Sequence, residues 1–229
     1  MVTSANGYKK HSEWGGRCGC LQCVRPRDRP GKELRMSLIY LVAGLLLFLG
    51  VHSTRLLAND WRTRTLARVG DKPFKGVYSL LSLAGFVLLV WGYGVARQHS
   101  VVLWTPPVGM RHLAALLTLI AFVLVAASQV PHNRIKARLH HPMLLGTKVW
   151  ALAHLLANGT LADVLLFGSF LVWAVVLFAA SRRRDRRQHV VYPPGTARAT
   201  WIAVIAGVVA WALFAFWLHR VLIGVSPFG

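Results

Sequence analysis

The sequence predicts an all-α fold, an integral membrane bundle of about six transmembrane helices. Three observations predict it. The 229-residue chain is 55% hydrophobic and only 15% charged, and long uncharged runs alternate with short polar segments. Its net charge is +20, and the basic residues lie almost entirely between the apolar runs. A soluble protein of this charge would suggest nucleic-acid binding, but basic segments between apolar runs are typical of the loops of a multi-pass membrane protein.

Five apolar runs are long enough, or nearly so, to cross a hydrocarbon core of about 30 Å. They cover residues 37–54, 76–96, 112–130, 164–181 and 199–219. A sixth candidate extends from residue 142 to about residue 162. It contains Lys148 and is the least regular of the six. In the second run, the small residues Ser79, Ser82, Gly85 and Gly92 are spaced for close helix contact.

The distribution of basic residues predicts the topology. With six spans, the loops at residues 55–75, 132–141 and 182–198 share one side of the membrane and hold 15 Lys and Arg residues. The opposite side holds three, Arg97, Arg111 and Arg220. The positive-inside rule therefore predicts cytoplasmic basic loops, with both ends of the six-span core facing outward.

Residues 1–35 form a basic segment that we expect to be disordered, because it is polar, aperiodic and rich in Gly and Pro. Its eight basic residues would have to be exported under this topology, so we interpret Met36 as the start of the functional chain. The predicted organisation is a leader at 1–35, a transmembrane domain at 36–224 and a short tail at 225–229.

All three cysteines, Cys18, Cys20 and Cys23, lie in this leader. The C-x-C-x-x-C spacing can hold a metal ion if His11 supplies a fourth ligand, although a tail without metal is the simpler interpretation. The transmembrane domain contains no cysteine, which excludes disulfides and thiolate-bound clusters from it.

Acidic residues are scarce in the transmembrane domain, and we expect none of them to lie deep in the membrane. They are Asp60, Asp71, Asp163 and Asp185. Carboxylate-bridged metal pairs need several inward carboxylates, and proton relays and cation pathways usually need at least one at depth. The composition therefore disfavours both, and a transporter with them.

Histidines are the remaining candidates for chemistry. His52 and His154 fall inside apolar runs, and His140 and His141 stand at the start of the sixth candidate span. A buried imidazole in a membrane is costly unless it is paired or ligated. For a single histidine the expectation is an interhelical hydrogen bond, whereas several without carboxylate partners favour a metal or haem, for which imidazole is the usual axial ligand.

A haem site would need ligands from two facing helices and cations for the propionates. The sequence offers His52 and His154 as the ligands, with Arg55 and Lys148 as the cations. His52 is near the end of its span, however, and His154 is about 20 Å along its helix at ~1.5 Å per residue. Helix tilt can reconcile the two depths; otherwise His141 matches His52 better.

Four segments resemble a known family. They are "FLGVHSTR", "VYSLLSLAGFVLLVWGYG", "LWTPPVGMRHL" and "HHPMLLGTKVWALAHLLANG". They are similar to the NnrU family of bacterial membrane proteins, over roughly residues 36–219. The resemblance implies a multi-helix protein of the bacterial inner membrane that is associated with nitric oxide and nitrite metabolism in denitrifying bacteria.

A plant branch of this resemblance, zeta-carotene isomerase, implies haem b with axial histidines. The matching positions here are His52 and His154, and the His-Pro pair of the pattern falls on His141 and Pro142. This chain has His140 where the isomerase pattern has arginine, which puts in doubt a propionate or substrate contact from that position.

The leading hypothesis is a haem-dependent redox or isomerisation role, linked to nitrogen-oxide metabolism or to a lipophilic polyene. It implies the lipid bilayer, a lipophilic substrate and a membrane redox partner as partners, and no nucleic acid. The alternative is a non-catalytic accessory or sensor protein for a denitrification complex. No catalytic residue is assigned by either hypothesis.

Overall fold

The computed structural model describes residues 30–228, except for the side chains of residues 30–34 and 55. The C-x-C-x-x-C motif and most of the predicted leader lie outside this range. Within it, the first helix begins at Pro30, ahead of the predicted boundary at Met36. Proline is well tolerated there because the first turn of a helix has no partners for its N–H groups.

The described residues are helical, with no strand, which confirms the predicted all-α class. The helices are α1 (Pro30–Leu57), α2 (Asn59–Val69), α3 (Asp71–Ala96), α4 (Gly109–Gln129), α5 (Arg134–Leu139), α6 (Pro142–Ala157), α7 (Leu161–Arg187), α8 (Ala197–Leu213), a π-helical turn (Phe214–Leu218) and α9 (His219–Ile223). Two short helices, α2 and α5, were not predicted, and both lie in basic loops.

Five helical segments are long and apolar enough to cross a membrane: residues 35–54, α3, α4, α7 and residues 197–223. Between 11% and 28% of each apolar window is buried inside the protein, so most of these apolar side chains face outward. Exposed apolar surface of this extent is unfavourable in water, whereas a helix satisfies its own backbone hydrogen bonds in lipid. The bundle is therefore that of a membrane protein.

Helix α6 is shorter, with 16 residues, or about 24 Å at ~1.5 Å per residue. It nevertheless connects the two ends of the bundle. At its start, His141 contacts Asp185 at the end of α7. After its end, the carbonyl of Gly159 accepts a hydrogen bond from the backbone N–H of Leu103 at 2.8 Å. It is thus the sixth traversing segment, and it lies against α4 and α7.

The loops group at two ends of the bundle. The basic end holds the segments 55–75, 132–141 and 182–198, and the backbone N–H of Thr196 there donates to the carbonyl of His132 at 2.8 Å. The opposite end holds the segments 97–108, 158–160 and 224–228, and Arg97 donates to the carbonyl of Ile223 at 3.1 Å. This grouping is the one that six alternating spans require.

Helices α1 and α3 pack backbone against backbone. A Cβ atom added to Gly85 would lie 2.9 Å from the backbone nitrogen of Phe48, and one added to Gly92 would lie 2.6 Å from that of Leu41. On α1, a Cβ at Gly44 would lie 2.5 Å from the backbone nitrogen of Leu89. The predicted close contact of the α3 glycines is confirmed, and it holds α1, which carries His52, in place.

Candidate functional site

A large cavity opens at the basic end, which we call the basic-end cavity. Its volume is about 760 Å³. His52 of α1 and His141, the residue before α6, both line it. The C-terminal turns of α7 contribute Arg183, Arg184 and Arg187. The cavity therefore combines two imidazoles with a cluster of guanidinium groups.

The orientation of His52 is set by its own helix. Its Nδ1–H donates to the carbonyl oxygen of Phe48 at 2.7 Å. Because a carbonyl only accepts, the hydrogen belongs on Nδ1, and the neutral ring keeps its lone pair on Nε2. The rings of Phe48, Tyr78 and Trp173 surround it at centroid distances of 4.3, 5.7 and 6.5 Å.

His141 is held by a carboxylate. Its Nε2 lies 2.6 Å from Oδ2 of Asp185, a residue that is 8% exposed. The hydroxyl of Tyr192 donates to the same oxygen at 2.8 Å. This arrangement leaves Nδ1 of His141 for another partner. No role was predicted for Asp185 from the sequence; its one distinguishing feature is that it is the single acidic residue within "RRRDRR".

The two residues predicted to pair with haem propionates, Arg55 and Lys148, do not both lie at the basic-end cavity. Arg55 lies in α1, one turn beyond His52, and its side chain is outside the described residues. Lys148 does not line the basic-end cavity; its Nζ lies 3.7 Å from the centroid of the Phe178 ring. A cation over an aromatic face is stabilised by the ring quadrupole, so Lys148 has a local partner on α7. The arginines of α7 are the cations that the cavity contains.

His140 lies beside this cavity and does not line it. Its backbone has a φ of +66°, and its ring stacks on Tyr192 at 4.1 Å. Arg182 donates a hydrogen bond to its Nδ1. Burial, and after it the positive charge of Arg182, lowers the pKa of His140 from its ordinary value. The ring is thus a neutral acceptor that connects α5 to the end of α7.

His154 lines a second cavity, which we call the opposite-end cavity, with a volume of about 320 Å³. Its Nδ1–H donates to the carbonyl of Trp150 at 2.8 Å, so its lone pair is also on Nε2. The ring stacks on Phe167 at 4.5 Å. His219 lines the same cavity. The π-helical turn Phe214–Leu218 directly precedes it, and no sequence signal predicted that turn.

The structure does not bring His52 and His154 to one cavity. Aromatic rings connect them instead: Phe48 beside His52, Phe170 at 5.9 Å from Phe48, and Trp150 at 5.4 Å from Phe170 and 5.0 Å from His154. Ligation of one iron by both histidines stays a prediction that would require these rings to move. The alternative pair, His52 and His141, which match better in their depth along the bundle, does share a cavity.

Protein side chains alone do not form a metal site in the part of the chain that the structure describes. No group of three or more His, Cys, Asp or Glu side chains is arranged to hold a metal ion within residues 30–228. A porphyrin differs in this respect, because it supplies four nitrogen ligands itself and needs only one or two from the protein. Two imidazoles in one cavity satisfy that need.

The family model described as NnrU protein matches residues 40–227. The chain belongs to the NnrU family. The match extends from α1 to the tail after α9, so both cavities of this NnrU-family protein lie within it. No curated protein and no solved structure matches the chain. This match confirms the NnrU family that the four sequence segments predicted.

Proposed function

We propose that this NnrU-family protein binds haem b in the basic-end cavity, with His52 and His141 as the axial ligands. One observation carries the proposal. Each of these histidines has one ring nitrogen engaged by a backbone carbonyl or a carboxylate, and both line the same cavity of about 760 Å³. Metal-ligating histidines almost always have this second interaction, which fixes the ring and raises its basicity as a ligand.

The composition of the cavity supports the same ligand. Guanidinium groups bind carboxylates through paired, charge-assisted hydrogen bonds, and Arg183, Arg184 and Arg187 suit the two propionates of a haem. Leu56 and Leu177 supply apolar contact for the macrocycle. The volume is within the range of about 300–1,000 Å³ that is usual for cofactor sites.

Haem b, when bound, supplies an iron whose oxidation state and axial ligation can change. The residues of this chain would bind and orient the group: His52 and His141 would hold the metal, Asp185 holds His141, and the α7 arginines would pair with the carboxylates. We propose a redox or isomerisation role in the bacterial inner membrane, with the basic loops in the cytoplasm. The family resemblance supports nitrogen-oxide metabolism or a lipophilic polyene as the context, with a membrane redox partner.

The test is the absorbance spectrum of the full chain, purified after expression with adequate haem supply. We expect a Soret band at about one haem per chain, because the cavity has one pair of ligands. His52→Ala and His141→Ala should each lose most of the haem or convert it to a high-spin form. His112→Ala, an exposed histidine that lines neither cavity, is the matched control and should retain it.

His154→Ala distinguishes the two possible ligand pairs. Retention of haem in His154→Ala, together with loss in His141→Ala, supports the pair proposed here. Loss in His154→Ala with retention in His141→Ala would restore the pair His52 and His154. Wild-type protein without a Soret band would refute the haem proposal and leave the accessory role in its place.

A further inference from the structure

The opposite-end cavity is a separate site, and the proposed function does not use it. It lies between α4, α6 and the segment that follows α8, and the tail at 225–228 covers one side. Its walls include the rings of Trp150, Trp211 and Phe214. Phe214 opens the π-helical turn. Such turns are rare and frequently lie at functional sites.

The hydrogen bonds around this cavity determine what it can recognise. The Nδ1–H of His154 donates to the carbonyl of Trp150 at 2.8 Å, and that of His219 donates to the carbonyl of Val225 at 2.6 Å. Each neutral ring therefore keeps an acceptor lone pair on Nε2. The side-chain amide of Asn158 donates to the carbonyl of His154 at 2.9 Å, so its oxygen is a third acceptor.

Few other polar side chains line this cavity. The hydroxyl of Thr118 donates to the carbonyl of Ala115 and accepts from Nε1 of Trp211. Arg111 and Ser226 also line the cavity, and no carboxylate is among the lining residues that the structure describes. Beside these two donors, the site presents acceptors within aromatic walls. Its complement is a ligand that carries hydroxyl donors on a flat apolar ring.

We propose that this cavity binds the head group of a lipophilic hydroquinone. The two ring hydroxyls would donate to Nε2 of His154 and Nε2 of His219, and the ring would lie against the aromatic walls. The apolar tail would extend along the lipid-facing surface of the bundle, where large apolar side chains of α8 such as Ile205 and Val209 are exposed. A buried acceptor gains most from a ligand that satisfies it and loses most from one that does not.

Two other ligand classes fit less well. A metal ion would have two imidazoles as side-chain ligands and would meet the positive charge of Arg111, whereas zinc sites use three or four protein ligands. An anion would find a donor in Arg111, but His154 and His219 would turn acceptor nitrogens toward it, because their N–H groups are engaged. A hydroquinone can donate its two hydroxyl hydrogens to the Nε2 atoms of His154 and His219 without any change in the hydrogen bonds that these rings already make.

The experiment compares decylhydroquinone with its dimethyl ether, which has the same ring and tail without hydroxyl donors. Binding to the purified full chain is measured by titration calorimetry in detergent under nitrogen. We expect the hydroquinone to bind about 10- to 100-fold more tightly than the ether, since each hydrogen bond contributes about fivefold or more. Equal affinities would overturn the proposal.

Substitutions of the two histidines test whether the hydroquinone binds in the opposite-end cavity. His154→Leu and His219→Leu should each weaken hydroquinone binding about fivefold or more and leave the affinity for the ether nearly unchanged. His154→Gln, which keeps an acceptor oxygen, should retain part of the preference for the hydroquinone, and it serves if the leucine variant does not fold. His112→Leu is the exposed control. Unchanged hydroquinone affinity in both leucine variants would contradict the site.

The haem proposal and this one can fail separately. The Soret band of the wild type tests the first proposal, and the ratio of hydroquinone to ether affinity tests the second. Protein that lacks a Soret band but prefers the hydroquinone would refute the first proposal and support the second. Protein that shows a Soret band but binds the hydroquinone and its ether equally would support the first proposal and refute the second.

Discussion

The Nε2 atom of His141 lies 2.6 Å from Oδ2 of Asp185, in a chain where those residues are 44 positions apart. The hydroxyl of Tyr192 reaches the same oxygen at 2.8 Å. One carboxylate thus joins the entrance of α6, the end of α7 and the loop before α8. Because Asp185 is buried and accepts both bonds, its removal would leave two donors without their acceptor.

Replacement of Asp185 tests whether it positions His141. Asp185→Asn removes the charge that orients the imidazole, and we expect haem affinity to fall about 10- to 100-fold, as for other outer partners of metal ligands. Tyr192→Phe is the matched control, because it removes one neutral donor and leaves the carboxylate with His141. It should cost about 1 kcal/mol of unfolding free energy and retain the Soret band. Equal haem affinity in wild type and Asp185→Asn, measured by titration of the haem-free protein, would contradict this role.

The lowered pKa of His140 predicts that the stability of the folded protein depends on pH. Its pKa is lowered by burial and then by Arg182, so the folded protein binds this proton more weakly than the unfolded chain. The stability it contributes is present above the unfolded pKa of about 6.5 and is lost as the pH falls through the lower pKa of the folded state. The charged and titratable groups that face it are Arg182, His141, Asp185 and Tyr192. Burial and the hydrogen bond to Asp185 raise the pKa of Tyr192 to about 12, so its hydroxyl stays protonated in this range.

The measurement is the melting temperature in detergent at pH 7.5 and pH 5.5. His140→Asn is the matched variant, since asparagine accepts a hydrogen bond, does not titrate and tolerates a positive φ. The wild type should lose more stability between the two pH values than the variant does. The same pH difference in both proteins would assign the effect to other histidines.

Two glycines of α3 provide a test of the helix contact that holds α1. Gly92→Ala would place a Cβ 2.6 Å from the backbone of Leu41 and should destabilise the bundle by about 1–3 kcal/mol through overpacking. Gly94→Ala meets no atom within 4 Å and should be neutral or slightly stabilising. Unfolding in increasing dodecyl sulfate measures the difference. Similar curves for the two variants would mean that α1 and α3 are not this close.

The topology predicts the outcome of reporter fusions. Residues 182–198 and 132–141 meet at the basic end, whereas Gly159 lies at the opposite end against Leu103. With 15 basic residues at one end and three at the other, a fluorescent protein fused after Arg187 should be active in the cytoplasm. Alkaline phosphatase fused after Gly159 should be active outside it. The reverse pattern would invert the orientation and refute the cytoplasmic position of the α7 arginines.

The class of fold, the apolar helices long enough to span and the grouping of the loops follow from the sequence alone. These properties depend on local hydropathy and on charge counts, which do not require knowledge of how helices pack. The same holds for Gly85 and Gly92, whose spacing on one helix face predicted a close neighbour. The short α6 was predicted to start at Pro142, as it does, but it ends at Ala157, before the predicted end near residue 162.

Which histidines share a cavity depends on how the helices pack, and local sequence did not predict it. His52 and His141 are separated by 88 other residues, and whether their rings face one another depends on the tilt and order of α1, α6 and α7. Asp185 acquires a role because α7 packs beside the entrance of α6, and His219, which follows a π-helical turn, shares the opposite-end cavity with His154. Local sequence specifies that each residue is helical; the packing of helices, set by contacts between distant residues, decides where each ring points.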